Sequence, residues 1–112
     1  MIKTCNTPED FAFILETSKT KPVLLLKHST ACPISAKANR EFEEFAESAS
    51  DVECWRLPVL DRRDTSSHVS ARTGITHQSP QAILFYNGKP VWNASHWNIT
   101  GESIRTACQE KK

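Results

Sequence analysis

Long apolar stretches are missing from this chain. No continuous apolar run, Val23 to Leu26 included, exceeds five residues, far short of the roughly 20 residues that a membrane-spanning helix needs. The N-terminus, Met1 to Asn6, carries no stretch of signal-peptide length, so a cytoplasmic location is expected and no membrane partner is implied. An excess of one charge is missing too. Lys plus Arg is 14 against 13 for Asp plus Glu, a net charge of +1, which lacks the basic surplus of a sequence-independent nucleic-acid binder. Close cysteine pairs are also absent. Cys5, Cys32, Cys54 and Cys108 each stand more than 20 residues from the next, which fits no zinc knuckle or ribbon. The histidines His28, His68, His77 and His96 complete no closed tetrahedral spacing with them. In a reducing compartment a disulfide framework is not expected, and a cysteine taken alone reads as a small buried hydrophobe.

What remains is an ordinary globular composition. At 112 residues the chain predicts one domain, residues 1–112, which on folding buries roughly two-thirds of the surface of the unfolded chain. There is no internal repeat, no low-complexity tract and no long linker. Thr7-Pro8-Glu9-Asp10 sets a hydroxyl cap before a proline and two acids, so a first helix starts here and continues through Phe11, Ile14, Leu15 and Ser18. Val23 to His28 reads as a strand covered on both faces, with Lys27 and His28 as its polar end. Pro33 suits the first turn of a second helix, along which Ile34, Ala38, Phe42 and Phe45 form the apolar stripe. Val52 to Leu60 reads as a strand that Pro58 marks as an edge or an end. A short helix around Ser66 to Arg72 should stop at Gly74. Gln81 to Tyr86 and Lys89 to Asn93 flank Asn87-Gly88, a tight hairpin turn. Thr100 caps a last helix through Ile104, Ala107 and Cys108.

Two strands joined by a crossover helix should be parallel, and the terminal hairpin adds an antiparallel pair. The predicted fold is α/β, a central four-stranded mixed sheet flanked by helices. Ligands of such sheets bind beyond the carboxyl ends of the parallel strands. The segment leaving the first of them is His28 to Ser35.

Cys32 therefore sits where a strand ends and a helix begins. Unpaired N–H groups and the helix dipole there favour a thiolate, the species that attacks disulfides. Ser35, one helical turn on, is placed to donate a hydroxyl hydrogen bond to the sulfur. Cys-Pro-Ile-Ser cannot close the internal disulfide of a Cys-x-x-Cys motif, so any disulfide of Cys32 is with another molecule or a distant cysteine. The competing reading is a capping or packed thiol. Cys5, near the terminus, is the better candidate for incidental oxidation; Cys54 reads as core and Cys108 as lying on a polar, lysine-ended helix. Trp92 and Trp97, interleaved with His96 and without a basic stripe, read as hairpin packing.

Lys27 to Ser35, then Gln78-Ser79-Pro80-Gln81, Asn87-Gly88-Lys89 and Ala94 to Thr100 together resemble the monothiol bacilliredoxins of the bacillithiol system, over nearly the whole chain. The resemblance implies a thioredoxin-like fold and a thiol-disulfide oxidoreductase that removes bacillithiol from protein mixed disulfides. It makes Cys32 the attacking cysteine, Ser35 the serine in place of a resolving cysteine, and Pro80 the cis-proline that faces the cysteine. Ala31, Pro33 and Ser79 flank these positions as substrate-binding residues. Ala31 departs from the family, which has Thr before the cysteine, and makes that side of the site more apolar. The implied partners are bacillithiolated client proteins, bacillithiol as co-substrate and a disulfide reductase. No metal or organic cofactor is implied. Bacillithiol carries a malate group, and by analogy with glutaredoxins the start of the last helix, Thr100 and Gly101, is expected to receive negative charge; Lys27 and His28 are the other source of positive potential. The alternative function is a non-enzymatic iron-sulfur or thiol carrier of thioredoxin fold, or a redox-inert binding module. Pro33 and the lack of a glycine-phenylalanine loop speak against the carrier.

Overall fold

The computed structural model describes residues 1–30 and 33–110. Along the chain run β1 (Ile2–Thr4), α1 (Pro8–Thr17), β2 (Val23–His28), α2 (Pro33–Ser48), β3 (Glu53–Pro58), α3 (Arg63–Thr73), β4 (Gln81–Tyr86), β5 (Lys89–Ser95), a 3-10 turn (His96–Asn98) and α4 (Gly101–Gln109). The strands form one mixed sheet in the order β1-β3-β2-β4-β5. β1, β3 and β2 are mutually parallel, whereas β4 runs antiparallel to β2 and β5 antiparallel to β4. The sheet thus has five strands, not the four expected. The extra one, β1, is an edge strand of 3 residues, too short to reveal alternation in sequence.

Helix starts follow the local chemistry. Thr7 and Asp10 cap α1 reciprocally: Thr7 Oγ1 accepts from Asp10 N at 3.1 Å, and Asp10 Oδ2 accepts from Thr7 N at 3.2 Å. α3 begins at Arg63, ahead of the predicted Ser66, and ends at Gly74, whose φ of +72° is the left-handed value that an L side chain resists. Asn87 and Gly88 close the β4–β5 hairpin at φ of 57° and 77°.

The sheet separates two apolar layers. On one side Leu24 and Leu26 of β2 pack with Ala38, Phe42 and Phe45 of α2 and with Ile104 and Ala107 of α4. On the other, Val23 and Leu25 pack with Phe11 and Ile14 of α1 and Val69 of α3. β2 alternates between these layers and has no solvent face.

The pole of the sheet away from the carboxyl end of β2 is closed by Ser18, which is fully buried. Its Oγ donates to Leu15 O at 2.7 Å and accepts from Gly88 N at 2.9 Å, while its carbonyl accepts from Asn87 N at 2.8 Å. The end of α1 is thereby stapled to the hairpin turn. Ser18→Ala leaves the Gly88 N–H without this partner and is expected to cost about 1–3 kcal/mol. A fall in the urea midpoint with unchanged m-value checks this; an unmoved midpoint would dismiss the staple.

Candidate active site

Three connections meet at the carboxyl end of β2. The first is the β2–α2 segment, where Ser35 is fully buried on α2 and its Oγ accepts the Ser29 N–H at 3.1 Å. Ser35 therefore ties the incoming segment to the first turns of the helix, a role the sequence reading missed in looking only for a bond to the sulfur. Cys32 and Ala31 lie outside the described residues. Pro33 is exposed and opens α2, as its fixed φ predicts.

The second connection carries Pro80. The Ser79–Pro80 bond is cis and Pro80 is buried. Because Lys27 pairs with Gln81 across β2 and β4, Pro80 follows on beside the end of β2. Its carbonyl accepts the His96 N–H at 3.1 Å, and His96 itself sits at a φ of +56°. This bond holds the 3-10 turn against the proline loop and leaves Trp97 exposed on that rim. Two side-chain atoms here, Ser79 Oγ and His28 Nδ1, are shielded from water yet find no hydrogen-bond partner among the described residues. Burial lowers the His28 pKa, assisted by Arg56 and opposed by Glu43, so the ring favours its neutral form.

The third connection is the start of α4. Thr100 caps it as predicted, accepting from Ser103 N at 3.0 Å. The Gly101 N–H, which sequence reasoning offers to an incoming anion, is already engaged: it donates to Glu41 Oε1 of α2 at 2.7 Å. A carboxylate of the protein itself stands where the glutaredoxin analogy puts that of the thiol. The neighbouring cleft, which Thr100 and Trp97 help to line, also carries Glu102 and Glu110.

Lys27 departs most from expectation. The sequence reading makes it the polar end of a strand, but it is 1% exposed. Its Nζ lies 3.0 Å from Ser70 Oγ, 3.4 Å from Ser66 O and 3.2 Å from His77 Nδ1. Burial pushes its pKa down to about 8. Two facts could have pointed to this: β2 is covered on both faces, and Lys27 continues the parity of Val23 and Leu25. His77 also titrates below its ordinary value, through burial and then the charge of Lys27.

Among the other cysteines, Cys54 is core as predicted, and burial pushes its thiol up to about 12. Cys5 corrects the expectation of an oxidation-prone terminus. It is fully buried, its N–H bonds to Arg56 O at 2.8 Å, and burial together with Asp10 raises its pKa to about 12. The three-residue β1 draws it inside. Cys108 is likewise buried, because it shares the inner stripe of α4 with Ile104 and Ala107.

The chain matches the family described as "Monothiol bacilliredoxin BrxC" over residues 3–104. It belongs to the monothiol bacilliredoxin family. Among solved structures, a protein described as "A putative oxidoreductase with a thioredoxin fold" superposes on this chain with a TM-score of 0.87 at 36% identity, covering 95% of this chain and 92% of that one. The thioredoxin of Fasciola hepatica gives 0.79 at 16% identity over 98% and 99%. That of Malassezia sympodialis gives 0.77 at 17% over 98% and 90%. The last two bear on fold alone. The fold is thioredoxin-like, and membership of the family makes the protein a thiol-disulfide oxidoreductase.

The buried lysine generates a pH prediction with a defined sign. Between its folded pKa of about 8 and its ordinary 10.5, the unfolded chain binds more protons than the native one, so stability from this group rises with pH through that window. The unfolding free energy of the wild type minus that of Lys27→Met should therefore increase from neutral to alkaline pH, as read by urea denaturation. A pH-independent difference would mean that Lys27 keeps an ordinary proton affinity.

Proposed function

We propose that this bacilliredoxin removes bacillithiol from protein mixed disulfides through Cys32. The observation that carries the reading is the family match over residues 3–104, within which Cys32 precedes a helix and Ser35 stands where a second cysteine would allow internal closure. The position of Pro80 beside the end of β2 supports it.

In the first step the Cys32 thiolate attacks the bacillithiol sulfur of the mixed disulfide. A Cys32–bacillithiol disulfide forms, the client's S–S bond breaks, and the client leaves as a thiolate that takes a proton from solvent. In the second step a thiolate of free bacillithiol, or of a disulfide reductase, attacks the Cys32 adduct. Cys32 is regenerated as thiolate, and the two electrons come from the incoming thiol. With Ser35 in place of a cysteine the adduct cannot be resolved inside the motif, so turnover depends on that external thiol. Pro80 and Ser79 shape the face that meets the mixed disulfide, with Pro33 on the helix side. No resident metal or organic cofactor enters the scheme, and the setting is the cytoplasm.

Mass spectrometry after exposure to oxidised bacillithiol and, separately, oxidised glutathione tests the reading. The expected outcome is a single adduct on Cys32, formed preferentially with bacillithiol, and loss of client release in Cys32→Ser. Release that persists in Cys32→Ser would sink the assignment, and equal labelling by both thiols would sink the bacillithiol preference.

A further inference from the structure

Lys27 is a buried cation that has no counter-ion among the described residues. Its Nζ meets a carbonyl, a hydroxyl and an imidazole nitrogen, and none of the ion pairs among the described residues includes it. Neutral acceptors only partly compensate the loss of water around an ammonium group.

In front of it opens a cleft of about 490 Å³ whose lining includes Val59, Leu60, Arg63, Ser66, Ser70 and His77. Among the described residues no carboxylate lines it. Three of these residues, Ser66, Ser70 and His77, are the ones that contact Lys27, so the cleft lies one layer in front of the ammonium. The imidazole is oriented as well. Both Lys27 Nζ and Ser66 Oγ converge on His77 Nδ1 at 3.2 Å. An ammonium can only donate, so Nδ1 accepts and the ring proton sits on Nε2. The cleft wall thus offers an imidazole N–H, the Ser70 hydroxyl and the Arg63 guanidinium, backed by a positive charge. That is a donor set for a carboxylate.

Its location ties the cleft to the exchange site. Val59 N donates to His28 O at 3.0 Å, so the wall is bonded to the last residue of β2, and His77 lies on the loop that leads to Pro80. The opposite rim is unsuited to an anion, since Glu41 occupies the Gly101 N–H and Glu102 and Glu110 line the cleft beside α4.

We propose that the cleft between α3 and the His77 loop is the subsite for the carboxylates of the low-molecular-weight thiol, with Lys27 as the fixed charge behind it. This rests on the reading that bacillithiol, with its malate group, is the co-substrate.

The first test is NMR titration with sodium L-malate against sodium chloride at matched ionic strength. Saturable shifts of the His77 ring are expected, weakened about tenfold in Lys27→Met and severalfold in Arg63→Ala, whose exposed position makes it safe for folding. In exchange assays the rate with oxidised bacillithiol, divided by that with the uncharged bis(2-hydroxyethyl) disulfide, should fall about tenfold in Lys27→Met. Malate shifts confined to the amides around Gly101, no malate shifts at all, or an unchanged rate ratio in both variants would overturn the subsite. If Cys32 reacts with neither disulfide, it is the exchange reading itself that fails, so the two failures are distinguishable.

Discussion

A strand with no solvent face holds the reactive end of this molecule together. β2 is paired on both edges, parallel to β3 and antiparallel to β4, and its side chains enter a different apolar layer at each step. A slip of register by one residue would exchange the two layers and drive Lys27 into the layer built by Phe42 and Ile104. The positions of Ser29, Thr30 and the start of α2 are therefore set by packing that extends through the whole domain. Pro80 is fixed by the same strand through the Lys27–Gln81 pair.

The polar groups at this end divide by side. Toward α3 the chain has collected Lys27, His77, Arg63 and serine hydroxyls; toward α4 it has collected Glu41 and Glu102. The near-zero net charge conceals this polarity across the site. A chain of +1 overall can still present a directional field to a small charged thiol, because fixed charges within a few ångströms act before solvent screens them.

Much of the framework was legible in the residues. Thr7, Pro8, Gly74, Asn87-Gly88 and Thr100 act locally, through a capping oxygen or a permitted φ, and a local effect is visible in a local string. β1 was not legible, because three residues show no periodicity and its existence depends on pairing with β3, some fifty positions away. The burial of Cys5 follows from that pairing and was hidden with it. The site divides similarly. Cys32 and Pro80 stand out by motif and Ser35 by its spacing from Cys32, but the Ser29–Ser35 bond, the Lys27–His77 contact and the Glu41–Gly101 contact join side chains or backbone groups from separate elements. The Glu41 carboxylate in particular reads in sequence as one more acid on a solvated helix face.

That contact between Glu41 and Gly101 acts as a tethered competitor. An acid attached to the same molecule is presented to the α4 start at an effective concentration on the order of millimolar or above, independent of what the cell supplies. A free carboxylate reaches that N–H only by outcompeting it and by tolerating the displaced charge nearby. For any acid group directed at the α4 start, the Gly101 N–H is a filled place.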